Sequence, residues 1–239
     1  MKERRKPMKV LVICAHPDDE VISMGGTLKK LSDSGACIKL LMFSDGAEGF
    51  SCSKEKSTIV QRRHQETKKV CSVLGISQYV NLHCLDWNLK INNDGYRAVI
   101  QHIRTFQPDM VFAHSRADYN DHKVVYHTAL ESWFHAALPC AMDMGPEWKL
   151  CPFYEFEVLE SISKPSIVVD ITKTFDSKIE AMKCYESQHQ IVGGVFQMMK
   201  GRALERGSLI GVKYGEAFNR HNYRPEAIKN VEQLLNFDI

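Results

Sequence analysis

Short apolar runs of strand length alternate with longer amphipathic runs through the first half of the chain. Residues 9–14 read as a buried strand, 20–32 as a helix, 38–43 as a second strand and 60–74 as a second helix. Residues 79–84 then supply a third strand, 96–106 a helix and 110–113 a fourth strand, and a further helix starts near His122 and ends near residue 135. Strands that alternate with helices in this way predict βαβ units, and so a Rossmann-like, mostly parallel sheet with helices on both faces. Beyond a loop marked by Gly145-Pro146-Glu147 and Pro152, strands are expected over 153–159 and 166–169 and a helix over 174–187. A terminal helix is expected over 225–237, with Pro225 in its first turn. Residues 189–207 carry Gly193-Gly194 and Met198-Met199 and show no clear period; they read either as a loop over a site or as a plain surface connection. The 239 residues suffice for one α/β domain with a full core, so 1–239 is taken as one domain, with 1–7 as a flexible tail.

A net charge of +2 lacks the strong basic bias of a dedicated nucleic-acid binder. The one basic cluster, Lys2 to Lys6, is too short for a transit peptide and lacks the apolar run of a signal peptide. No apolar stretch approaches the roughly 18 residues that cross a bilayer. The eight cysteines include no CxxC pair, and several lie in strand-like runs such as Val12-Ile13-Cys14. That usage fits reduced core thiols, and with it a cytoplasmic location, better than a disulfide framework or a zinc knuckle.

In open α/β sheets ligands bind outside the carboxyl ends of the strands. The first strand ends in Ala15-His16-Pro17-Asp18-Asp19-Glu20, a histidine and three acids in five positions. Three acids so close repel one another unless a cation neutralises them, whereas capping the next helix needs only one. The fourth strand ends in His114-Ser115-Arg116-Ala117-Asp118-Tyr119-Asn120-Asp121-His122. Together the two runs offer three protein ligands with one open position, the pattern of catalytic rather than structural zinc. Asp45-Gly46 after the second strand reads as an ordinary turn. Asp86 after the third reads equally as a turn former or as an acceptor for a substrate hydroxyl. Arg63 and Glu66, three apart on a helix, could form a surface pair.

With these runs in place the chain resembles the LmbE/PIG-L family of zinc-dependent N-acetylglucosaminyl deacetylases. Its opening signature, AHPDDE after a strand, stands intact as Ala15 to Glu20. The likeness continues through Gly25-Gly26-Thr27, Ser44-Asp45-Gly46, Arg63 to Glu66, Pro108-Asp109 and Asp121-His122. It goes on to Asp170-Ile171-Thr172 with Lys178, Ala181 and Ser187-Gln188, then Arg206-Gly207 and Tyr214-Gly215-Glu216-Ala217-Phe218. The resemblance implies His16, Asp19 and His122 as metal ligands, for Zn2+ by default with Fe2+ fitting the same set, and Asp18 as general base. It implies Arg63 and Asp86 as contacts to the sugar, and Asp121 as the acid beside the third ligand, orienting a catalytic or ligating histidine. The implied reaction removes acetyl from an N-acetylglucosamine-type conjugate. An amidase cleaving another acyl group or a thiol conjugate on the same site is the alternative. The expected partner is a small N-acetylated sugar, with no nucleic acid and no membrane, and a homo-oligomer is left open.

The sequence departs from the family where members commonly read DxHxDH. Tyr119 stands where the first histidine of that run would support the oxyanion, and His114 is the other candidate donor. A nucleotide-binding domain would instead need GxGxxG after the first strand; Met24-Gly25-Gly26-Thr27 lacks that spacing.

Overall fold

The computed structural model describes residues 6–222, so the expected helix over 225–237 lies outside the described residues. The first strand, β1 (Lys9–Cys14), is fully buried over Val10 to Cys14. Successive strand side chains point to opposite faces. Val10, Val12 and Cys14 therefore enter one apolar cluster, and Leu11 and Ile13 enter another. Both faces thus need covering. The chain supplies α1 (Asp19–Asp33), β2 (Cys37–Ser44), α2 (Ile59–Leu74), β3 (Gln78–Cys84), α3 (Asn93–Phe106), β4 (Met110–His114) and α4 (Asn120–Ala136). It continues with β5 (Phe153–Phe156), β6 (Ile167–Asp170), α5 (Phe175–Cys184), α6 (Val195–Ser208) and β7 (Gly215–His221).

The seven strands run β3-β2-β1-β4-β5-β7-β6. All neighbours from β3 to β5 are parallel, and only β7 is antiparallel, to β5 on one side and β6 on the other. Helices α1, α2, α5 and α6 cover the face of Val12, while α3 and α4 cover the face of Ile13. The expected Rossmann-like, mostly parallel sheet is what forms. The chain leaves β1 toward β2 on one side and returns to β4 on the other. The loops after β1 and β4 therefore diverge at a switch point and open a crevice.

Most elements match their expected spans to within a few residues. The segment over 189–207 does not: from Val195 onward it is helix α6, with Val195, Met199 and Ala203 buried four residues apart. Strand β7 had no expected counterpart.

Helix α1 is broken at Met24, where φ is −142°. Such a break frees backbone groups, and buried ones need partners. Glu216 accepts the N–H groups of Gly26 (3.0 Å) and Thr27 (2.7 Å), and Lys178 Nζ donates to Ile22 O (2.9 Å) and to Glu216 Oε1 (2.6 Å). Gly26 leaves no room for a side chain, since a Cβ there would lie 2.8 Å from Ile171. The residues Gly26, Thr27, Lys178 and Glu216, dispersed in sequence, thus form one brace that holds the broken helix.

Candidate active site

His16, Asp18 and Asp19 leave the carboxyl end of β1, and Tyr119 and His122 sit at the start of α4, across the switch point. All five line a cavity of about 160 Å³, together with Arg63. His16 Nδ1 lies 3.3 Å from His122 Nε2 and 3.8 Å from Asp19 Oδ2, and His122 Nε2 lies 3.3 Å from Asp19 Oδ1. Two imidazole nitrogens and a carboxylate thus aim at one point, with the cavity on the remaining side. The three side chains expected as ligands are the ones brought together.

Each histidine has an acid behind it, hydrogen-bonded to His16 and at ion-pair distance from His122. His16 Nε2 meets Asp121 Oδ2 at 3.1 Å, and His122 Nδ1 meets Asp118 Oδ1 at 3.2 Å. A carboxylate hydrogen-bonded as Asp121 is to His16 fixes the tautomer that leaves the other ring nitrogen facing a metal. The pairing is crossed relative to sequence order. Asp121 serves His16, more than a hundred positions away, while Asp118, which sequence reasoning passed over, serves His122 one helical turn later.

The donor set suits a cation on electrostatic grounds. Burial opposes charge on His122, but the carboxylates of Asp19 and Asp118 outweigh it and hold the imidazole up to about 10. Burial likewise works against ionised Asp19, yet the His122 and His114 rings keep it well below the usual carboxylate range. The acids around the point where the three ligand atoms meet therefore favour positive charge there. A second grouping, His114, Asp118 and His122, is buried throughout. His114 Nε2 there accepts the Ala15 N–H at 2.9 Å, so that lone pair is already engaged.

Asp18 stands beside this point at φ 120°, a backbone conformation that costs a residue with a Cβ about 1–3 kcal/mol. Its N–H donates to Glu20 Oε2 (3.2 Å), and its Oδ2 accepts from the Arg63 guanidinium (3.3 Å). Arg63 also donates to the carbonyls of Pro17 and Gly46. A Cβ on Gly46 or Gly49 would run into the Arg63 guanidinium, so glycine at both positions lets the loop close over it. Burial pushes the Asp18 carboxyl up to about 7, against the pull of Arg63. Behind it, burial pushes Glu20 up to about 8, and its Oε1 accepts the Tyr185 hydroxyl at 2.6 Å.

The remaining expected residues divide. Tyr119 reaches the cavity, its hydroxyl 3.4 Å from His16 Nδ1. Burial pushes its phenol far above the usual range. His114, expected to face the same crevice, is instead wholly buried behind the ligands and lines no part of the cavity. Asp86 lines the cavity, but its two oxygens accept the N–H groups of Gly46 (3.0 Å) and Glu48 (2.9 Å), which makes it a brace for that loop. Arg63 and Glu66 do not pair with each other. Glu66 holds Ser187 through two hydrogen bonds, and Gln188 beside it reaches Gly49 O at 2.9 Å and lines the cavity.

Residues 11–133 match the model of a family described as PIG-L: GlcNAc-PI de-N-acetylase. A diacetylchitobiose deacetylase of Thermococcus kodakarensis is 26% identical over 223 residues, 87% of this chain and 81% of that protein. A 4-oxalmesaconate hydratase of Pseudomonas putida is 26% identical over 236 residues, 92% of this chain and 88% of that protein. Among solved structures, the N,N'-diacetylchitobiose deacetylase from Pyrococcus horikoshii superimposes with a TM-score of 0.84 at 28% identity, covering 95% of this chain and 90% of that one.

Proposed function

The chain belongs to the PIG-L family, and from that premise we propose that it hydrolyses the acetamido group of an N-acetylglucosamine-type conjugate to acetate and a free amine. The observation that carries the reading is the convergence of His16, Asp19 and His122 on one point beside the Asp18 carboxyl, open to a cavity. These three side chains would hold a divalent cation, Zn2+ by default, with Fe2+ suited to the same nitrogen and oxygen donors. Such a cation supplies positive charge that makes water easier to deprotonate and a carbonyl easier to attack.

The chain's own residues account for the proton traffic. Asp18 is held by Arg63 and by the Glu20 contact to its backbone, so its carboxylate faces the cavity in one orientation. It takes one proton from the attacking water, whose oxygen bonds to the acetyl carbon. It returns that proton to the nitrogen as the C–N bond breaks, giving the free amine and acetic acid; the acid carries the water's second proton and ionises to acetate in solution. A carboxyl poised near 7 suits both transfers, and a cation alongside would draw that value down. Tyr119 keeps its proton far above neutral pH, so its part is to donate a hydrogen bond to the carbonyl oxygen as charge develops there. Asp121 and Asp118 position the two imidazoles, and Asp86 positions the loop that packs on Arg63.

The hydratase relative supports a second reading, addition of water to a conjugated acid, since a base that activates water serves both reactions. An amidase acting on a larger acyl group would use the same residues. The purified protein, after metal analysis, would be screened for acetate release across N-acetylated sugars. Release that stops on chelation and returns with Zn2+ or Fe2+ is expected. Consumption of an unsaturated diacid with no acetate from any sugar would transfer the assignment to the hydratase. Among the described residues no helix is long and apolar enough to cross a membrane.

A further inference from the structure

Trp87 is the most exposed large apolar side chain among the described residues, at 70%. It lies on the rim of the cavity that holds His16 and Asp18. Its φ is 60°, a left-handed conformation that is an outlier for so bulky a residue and persists only where its surroundings hold it. Two contacts do so. The Trp87 N–H donates to Asp121 Oδ2 at 2.8 Å, the same oxygen that orients His16. The preceding residue, Asp86, is tied by both carboxylate oxygens to Gly46 and Glu48. The backbone at Trp87 is therefore held at a fixed offset from the reacting centre, and its indole is exposed to water. Lone exposed apolar residues are common. Here, however, Leu159 (48%), Ile191 (43%) and Tyr119 (37%) are also exposed and line the same cavity, so the polar floor has an apolar rim.

We propose that Trp87 is a stacking platform for the sugar ring next to the one being deacetylated, which makes the site selective for conjugates of at least two rings. This rests on the deacetylase reading above. The floor groups engage the acetamido group, so a side chain on the rim meets the part of the substrate that extends outward. A pyranose presents C–H groups on one face, and an indole is a large, rigid surface for them.

Steady-state kinetics would compare the unmodified protein with Trp87→Ala on N,N'-diacetylchitobiose and on N-acetylglucosamine. For the variant, KM for the dimer should rise about tenfold with kcat held within about twofold, while KM for the monosaccharide changes by less than about twofold. Trp87→Phe should recover most of the dimer KM. Titration with chitobiose, the fully deacetylated dimer, gives a reading independent of turnover. It should change the tryptophan emission of the unmodified protein, and Trp87→Phe should abolish that change. Equal KM shifts for dimer and monosaccharide, or no shift in either, would overturn the platform. If the unmodified protein released no acetate from any sugar, the deacetylase reading would fail instead. The titration would then decide the platform alone, and an emission unmoved by the dimer would end it.

Discussion

Two buried clusters of charge lie along helix α1, one at its start and one at its break at Met24, and they are built to opposite specifications. The brace at the Met24 break contains one cation and one anion, Lys178 and Glu216, and their polar contacts go to each other and to the freed backbone groups. The crevice cluster contains five carboxyls, Asp18, Asp19, Glu20, Asp118 and Asp121, against one guanidinium and three imidazoles. Among the described residues, Asp121 Oδ1, Arg63 Nε, His114 Nδ1 and His122 Nδ1 have no hydrogen-bond partner there. Burying a charge without a partner is unfavourable, so a cluster that completes itself serves the fold, and one left short of positive charge serves something that arrives.

The sharpest separation should come from Asp18→Asn, because asparagine tolerates positive φ and keeps the shape while removing the base. Acetate release should drop by roughly 10²–10⁴-fold, with metal content and melting temperature unchanged or raised. A stable, fully active variant would return Asp18 to the role of a helix-start residue. Lys178→Met should behave in the opposite way. Removing one partner of a buried pair costs about 3–5 kcal/mol, so a large loss of thermal stability is expected, with turnover per folded molecule intact. If Lys178→Met spared stability and lowered turnover, the division between the two clusters would collapse.

The division was only half visible beforehand. The run 15–20 announced itself because a histidine and three acids in sequence have no packing explanation. β1 announced itself because a strand buried on both faces reads as an unbroken apolar run. Lys178 and Glu216 stand in runs that carry the family resemblance, but their pairing and the break at Met24 are not legible there, since the partners lie about 40 and 190 positions apart. The roles of Asp118 and Asp86 were hidden for the same reason: what a carboxylate orients depends on which loop the fold sets beside it. Helix α6 is not legible because Gly193-Gly194 and Met198-Met199 mask the narrow stripe of Val195, Met199 and Ala203. Strand β7 was missed because it is seven residues with a buried acid near its start.

Smaller effects should sharpen the same contrast. Chelation should lower the melting temperature of the unmodified protein. A native-only ligand at a hundred times its Kd contributes about 2.7 kcal/mol, and His16→Ala should remove that dependence while Lys178→Met keeps it. Tyr119→Phe should reduce turnover by up to about 10²-fold at constant metal content; no change would leave the carbonyl oxygen without help from this residue.

The smallest effect concerns a pair outside both clusters. Burial, aided by the Lys39 charge 3.1 Å away, pushes His102 down to about 4. Between pH ~6.5 and ~4 the unfolded chain takes up a proton that the folded protein refuses, so stability is lost as pH falls through that window. His102 is half-buried, so solvent screening limits the loss to about 1 kcal/mol. Melting curves across that range should flatten in His102→Asn.

His16 and His122 stand 106 positions apart, and β1 pairs with a strand a hundred residues further on. Non-local pairings of this kind form late, because loop closure must precede the contacts that reward it. Until α4 docks, residues 18–20 remain hydrated and their mutual repulsion is mild, so the penalty for dehydrating them falls on one late event. A ligand that recognises only the assembled crevice cannot hasten that event; it can only slow its reversal. The protein's lifetime in a cell, rather than its rate of maturation, is therefore the property that should track the supply of whatever the crevice holds.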